Sequence, residues 1–170
     1  MKVPNYSYLN PKLEKRKLVD KGGYGIFAKD SILEGELLAL WGGQVVTSDE
    51  LPKIPIERQI HGIQVEDFLY LIPVKPGEDA DYFNHSCTPN AGMGSPISLV
   101  AMKEILPDEE ICFDYAMSDS SDYDEFICHC QSSNCRHMVT GKDWQKKELQ
   151  QRYQGYFSPY LQRRINKTRT

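Results

Sequence analysis

No part of this 170-residue chain holds more than a few apolar residues in a row, as in Glu36-Leu37-Leu38-Ala39-Leu40-Trp41. A membrane-spanning helix, which needs about 20 such residues, is excluded. The first twenty positions carry Lys2, Lys12, Lys15, Arg16 and Lys17 with no apolar segment between them. A secretory signal is therefore not expected, and an intracellular, reducing setting is the default. Internal repeats and low-complexity tracts are missing, and so is helical periodicity before residue 140. The cysteines are five, an odd number that argues against a paired disulfide framework. From Glu104 to Glu125 there is no basic residue but nine acidic ones. That run reads either as a solvated acidic loop or as a field that draws a Lys- and Arg-rich peptide.

What is present describes one globular domain. Hydrophobic residues make up 40% and charged residues 26%, and the length suffices for a sizeable core. Strands are expected over residues 13–19, over 32–41 closed by Gly42-Gly43 with Val45-Val46-Thr47 as its continuation, over 97–102 and over 110–115. Residues 60–72 read as a hairpin around Glu66-Asp67 with Phe68, Tyr70 and Ile72 on one face. Between them, 48–58 reads as a loop with one helical turn. The body is thus mostly β. The tail differs: Trp144, Leu149 and Tyr153 suit a helix with one buried side. Ser158-Pro159 then starts a second helix, serine as N-cap and proline at the first position, with Tyr160, Leu161 and Ile165 as its stripe.

Three groups of residues carry chemistry. Tyr82-Phe83-Asn84-His85-Ser86-Cys87-Thr88-Pro89-Asn90 packs an amide, an imidazole, a hydroxyl and a thiol side by side, too polar for ordinary core. Gly22, Gly23 and Gly25 precede an apolar run and allow a close backbone approach to a ligand. Cys128, Cys130 and Cys135 lie within eight residues, a spacing that suits a structural zinc better than a disulfide or redox pair. The fourth ligand would come from Cys87, His129, His137 or Cys112. Cys87 is favoured because it would tie the tail onto the polar stretch.

These motifs closely resemble the SET-domain protein lysine methyltransferases that carry a post-SET zinc segment. The resemblance rests on Asn84 to Asn90, on Glu109-Glu110-Ile111-Cys112-Phe113-Asp114-Tyr115, on Gly23-Tyr24-Gly25-Ile26-Phe27-Ala28, on Trp41-Gly42-Gly43-Gln44 and on the cysteine cluster. The Gly155–Leu161 tail is similar to that of small stand-alone, bacterial-type relatives. It implies a mostly β SET fold of small curved sheets, with the 84–87 and 115 segments crossing in a pseudoknot, a zinc-bound C-terminal segment and short helices. The implied division is a SET domain over 1–120, a post-SET zinc segment over 121–140 and a helical extension over 141–170.

By the same resemblance, S-adenosylmethionine would lie on one face against Gly23, Tyr24, Gly25, Tyr82, Asn84, His85 and Tyr115. The lysine would enter from the other face through a channel of Trp41, Phe113 and Tyr115, with Tyr115 as the catalytic residue. Zn2+ would be held by Cys87, Cys128, Cys130 and Cys135. The implied partner is a protein with an exposed lysine in a basic segment, such as a histone or histone-like protein; neither a membrane nor direct nucleic-acid contact is expected. Cytoplasm, or the nucleus in a eukaryote, is the implied location. Phe113 leaves room that a tyrosine hydroxyl would fill, so di- or trimethylation is expected. The sequence departs from the family pattern at Trp41 for a tyrosine, Asp81 for an arginine and His137 for a glycine. The competing reading is an inactive SET-like, zinc-stabilised peptide-binding module. The chemistry is coherent on its own: neutralising a lysine of pKa about 10.4 at pH 7 costs about 4.6 kcal/mol, part of which a dry aromatic channel offsets.

Overall fold

The computed structural model describes residues 6–19, 23–122 and 125–168. Lys2 of the basic N-terminus and Lys21 and Gly22 of the glycine turn lie outside them. Thirteen short strands alternate with few helices: β1 Tyr8–Leu9, β2 Leu13–Lys17, β3 Tyr24–Ala28, β4 Leu37–Leu40, β5 Gln44–Thr47, β6 Ile63–Glu66, β7 Leu69–Ile72, β8 Asn84–His85, β9 Ala91–Ser95, β10 Ser98–Ala101, β11 Glu110–Phe113, β12 Phe126–Ile127 and β13 Met138–Val139. A helical turn, α1, covers Ile56–Gln59, and the tail holds α2 Lys147–Arg152 and α3 Pro159–Thr168. Among the described residues no helix is long and apolar enough to cross a membrane.

An eight-stranded sheet runs in the order β1-β4-β10-β9-β11-β3-β2, with β8 beside β11. Ile26, Leu38, Ala39, Met93, Leu99 and Ile111 from its strands belong to the core, each 2% exposed or less. Leu149, Tyr153, Tyr160, Leu161 and Ile165 of the tail join the same core, so the two tail segments close over the sheet. Each buried Leu, Ile or Met among them contributes about 1.5–3 kcal/mol by leaving water. A separate three-stranded sheet, β5-β7-β6, holds the 63–72 hairpin. β8 pairs in parallel with β11, Asn84 beside Cys112 and His85 beside Phe113. The two segments expected to cross are therefore neighbours.

Several local readings change. Val45–Thr47 does not continue β4, because the chain leaves one sheet for the other at Gly42-Gly43. A Cβ at Gly42 would lie 1.9 Å from the Tyr6 carbonyl oxygen, so only glycine passes there. Ile32 contributes one isolated bridge to Ile105 rather than strand. Phe68 sits in the hairpin turn at φ +61° and is exposed, so only Tyr70 and Ile72 of the expected face are buried. Cys112 is half-buried rather than core. Ser158 does precede α3, but its buried hydroxyl makes no hydrogen bond among the described residues, so it does not cap through its side chain. The acidic run is not one field: Asp108 pairs with Arg16, and Asp114 lies fully buried against Arg136.

Candidate active site and thiol cluster

The site is built where β8 lies beside β11. Alternation along a strand sends successive side chains to opposite faces. Phe83 accordingly lines a cavity of about 260 Å³, while Asn84 turns toward the glycine strand β3. Asn84 Nδ2 donates to the Tyr24 carbonyl and to Glu110 Oε1, both at 2.9 Å. Both amide hydrogens are thereby engaged, leaving Oδ1 as the acceptor. Gly25 leaves this pair its room, since a Cβ would stand 2.7 Å from Glu110 Oε1 and 3.1 Å from Asn84 Nδ2. At Gly23, with φ +73°, nothing lies within 4 Å of where a side chain would begin, so the backbone is open on that side. The Tyr24 and Tyr82 rings meet edge to face at 5.4 Å.

Tyr115 stands between the two faces. Its hydroxyl donates to the Phe83 carbonyl at 3.1 Å, its N–H donates to His85 Nδ1 at 3.2 Å, and its ring lies 5.2 Å from the imidazole. Because Nδ1 accepts, the His85 proton sits on Nε2, which faces Cys87 Sγ at 3.3 Å. Burial pushes the imidazole down to about 4, against the pull of Asp114, so His85 is neutral at pH 7. On the cavity side Phe113 lies 4.9 Å from the Tyr115 ring and 6.0 Å from Trp41. Trp41 spends its Nε1–H on the Ala80 carbonyl at 2.7 Å, so it offers the cavity a ring and no donor. Gln64, Asp119 and Glu125 give the same cavity its polar lining, with Phe126 beside them.

The structure thus brings Trp41, Phe113 and Tyr115 to one cavity, and Asn84 together with Tyr24 and Gly25 to the other side. The four sulfurs of Cys87, Cys128, Cys130 and Cys135 lie within 4.8 Å of one another. Tetrahedral thiolate ligation at about 2.3 Å needs sulfurs close to 3.8 Å apart, and Cys87 and Cys128 stand at 3.9 Å. The donor set therefore fits a zinc ion. Neither His129, His137 nor Cys112 belongs to that set; His137 instead turns the chain at φ +62° and gives its carbonyl to Cys128 N–H.

Sequence reasoning missed several residues. Lys15 of β2 lies 4.5 Å above the Tyr82 ring and 5.3 Å from that of Tyr24, paired with Asp79 at 2.8 Å. It puts a cation beside the polar stretch from a different strand. Asp81, at the family's arginine position, accepts the Gly77 and Glu78 N–H groups and closes a local turn. Arg136 and Tyr153 hold Asp114, and Asp143 holds Arg136 in turn. An acid next to Tyr115 without a nearby basic residue in sequence was the available signal for that network.

The comparisons bear on the family and the fold. The SET domain family matches residues 23–116. The variant-silencing SET domain-containing protein of Plasmodium falciparum is 29% identical over 136 residues, covering 70% of this chain and 5% of that protein. The Drosophila melanogaster histone-lysine N-methyltransferase ash1 is 28% identical over 151 residues, covering 82% of this chain and 7% of that protein. The chain thus spans a small fraction of these relatives. Among solved structures, KRYPTONITE in complex with mCHG DNA and SAH superposes with a TM-score of 0.60 at 21% identity, over 76% of this chain and 29% of that one. A second KRYPTONITE complex, with mCHH DNA, an H3(1-15) peptide and SAH, gives 0.59 at 20%. At that identity the likeness is one of fold.

Proposed function

The chain belongs to the SET-domain family, and from that premise we propose that it is an S-adenosylmethionine-dependent protein-lysine N-methyltransferase. The observation that carries the reading is the position of Tyr115. It stands between the Asn84–His85 segment and an aromatic cavity formed with Trp41 and Phe113. The cosubstrate supplies a methyl group on a sulfonium. Gly23, Tyr24, Gly25, Tyr82, Asn84, His85 and Tyr115 are proposed to bind and orient it, with Asn84 Oδ1 facing a donor group. Trp41, Phe113 and Tyr115 disfavour the charged ammonium in the cavity and align the neutral amine. The amine nitrogen bonds to the methyl carbon as the carbon–sulfur bond breaks, and the new ammonium then loses a proton to water. Cys87, Cys128, Cys130 and Cys135 would hold a structural zinc.

The proposed substrate is a lysine in a basic protein such as a histone. This accords with the names of the relatives and with Asp119 and Glu125 in the cavity's polar lining. Phe113 supports di- or trimethylation. A division into 1–120, 121–140 and 141–170 and an intracellular location, nuclear in a eukaryote, belong to the same proposal. DNA accompanies the KRYPTONITE complexes; for this chain no nucleic-acid contact is proposed.

The test is incubation of the purified chain with labelled S-adenosylmethionine and a panel of basic proteins, histones included, with Tyr115→Phe as control. Label on lysine that falls by about two orders of magnitude in the variant is expected. No heat of cosubstrate binding by calorimetry would overturn the enzyme in favour of a peptide-binding module.

A further inference from the structure

The C-terminal segment after the cysteines takes part in no step described above, yet it reaches the residue beside Tyr115. We infer that Arg136, together with Asp143 and Tyr153, is a positioning device that fixes the main chain at Tyr115 and couples it to the four-thiol cluster. The inference rests on the thiols being a metal site, and on the proposed function only for its catalytic readout.

The chain leaves β11 at Asp114 and turns at once into a helical turn over Tyr115–Met117. Asp114 Oδ1 accepts the Ala116 N–H at 3.0 Å, so this carboxylate sets how the backbone bends at Tyr115. Arg136 grips both oxygens in a fork, Nη1 to Oδ2 at 2.6 Å and Nη2 to Oδ1 at 2.8 Å. Tyr153 donates its hydroxyl to Oδ2 at 2.9 Å. Arg136 Nε in turn donates to Asp143 at 2.8 Å, fixing the plane of the guanidinium. The Asp114 and Asp143 side chains are 0% and 1% exposed. Such a pair does not relax by hydration, because loss of one partner leaves a buried uncompensated charge.

Two contacts carry the network to the cluster. The Arg136 backbone N–H lies 3.4 Å from Cys87 Sγ, and the Tyr153 hydroxyl lies 3.3 Å from the Cys87 carbonyl. One residue therefore touches the thiols with its main chain and the Tyr115 turn with its side chain. A change at either end is felt at the other, since coupling of this kind is reciprocal. The tail segment 143–153 thereby becomes part of the active-site scaffold.

Hydrogen exchange of the full chain, read by mass spectrometry without methyl donor or acceptor, tests the coupling. Removal of zinc by a chelator should expose the Ala116 and Met117 amides while those of β4 and β10 stay protected. Tyr153→Phe, which removes a hydroxyl and no volume, and Arg136→Lys, which keeps charge but loses the fork, should expose the same amides. In the zinc-loaded variants kcat should fall about ten- to a hundredfold, with KM for the methyl donor little changed. The inference is overturned if chelation leaves these amides protected, or if it exposes β4 and β10 equally, which would be unfolding. It is also overturned if both variants keep wild-type protection and kcat. A chain that shows the exchange effect but transfers no methyl group would sink the proposed function and leave the coupling intact.

Discussion

Asn84 and Glu110 are joined by a 2.9 Å hydrogen bond, and the backbone of Gly25 passes so close to both that a side chain there would displace them. The amide is thus aimed from three strands at once. Gly25→Ala should push Glu110 and Asn84 aside and weaken S-adenosylmethionine binding at least about tenfold, or 1.4 kcal/mol. Calorimetry checks this, and an unchanged affinity would remove Asn84 from the cosubstrate site.

Phe113 lies 4.9 Å from Tyr115 on the cavity side, with Trp41 behind it. A hydroxyl placed there fills space that a partly methylated amine needs. Wild-type protein should yield di- or trimethyl-lysine by mass spectrometry, and Phe113→Tyr should shift the product toward monomethyl. Only monomethyl product from both proteins would refute the assignment.

The thiol cluster draws Cys87, two residues beyond the Asn84-His85 pair, onto the segment at 128–135. A strong chelator should release one zinc per chain and lower activity more than about tenfold, while far-ultraviolet circular dichroism of the β body persists. Cys87→Ser should act the same way. Full activity in metal-free protein counts against a structural zinc.

Burial pushes the Asp119 carboxyl above its ordinary value of 3.8, despite hydrogen bonds from Ser121 and Ser120, and Asp122 nearby adds to the rise. A carboxyl with a raised folded pKa stabilises the fold below its unfolded value, and that stability is lost as pH climbs through the folded value. Asn at this position keeps an oxygen for Ser121 without the charge. Asp119→Asn should therefore melt higher than wild type at pH 7, by about 2–4 °C per kcal/mol, with the gap closing near pH 3.8. A gap independent of pH would show that desolvation of the carboxylate is not its cause.

The β character of the chain, the positions of the two tail helices and the five motif regions were legible in the residues. Alternating apolar positions and glycine or proline punctuation are local signals, and each is written within a few neighbouring positions. β9 was not legible: Ala91-Gly92-Met93-Gly94 has poor strand character, and Gly92 is there because Tyr156 packs 2.7 Å from where its Cβ would be. Likewise Val45–Thr47 looked like a strand in line with β4, and only its pairing with β7 places it in the other sheet.

The sequence by itself determined the cysteine spacing that suits a metal and the short motifs whose family resemblance implies a cosubstrate site and an aromatic channel. Only the tertiary structure decided among Cys87, His129, His137 and Cys112 as the fourth member of the thiol cluster, and brought Tyr153 and Arg136, itself held by Asp143, onto Asp114. It also brought Lys15 over Tyr82 from a strand far back in the chain. The physical reason is that these partners are separated by tens of residues. Their meeting depends on β8 pairing with β11 and on the tail closing over the core, neither of which leaves a local trace.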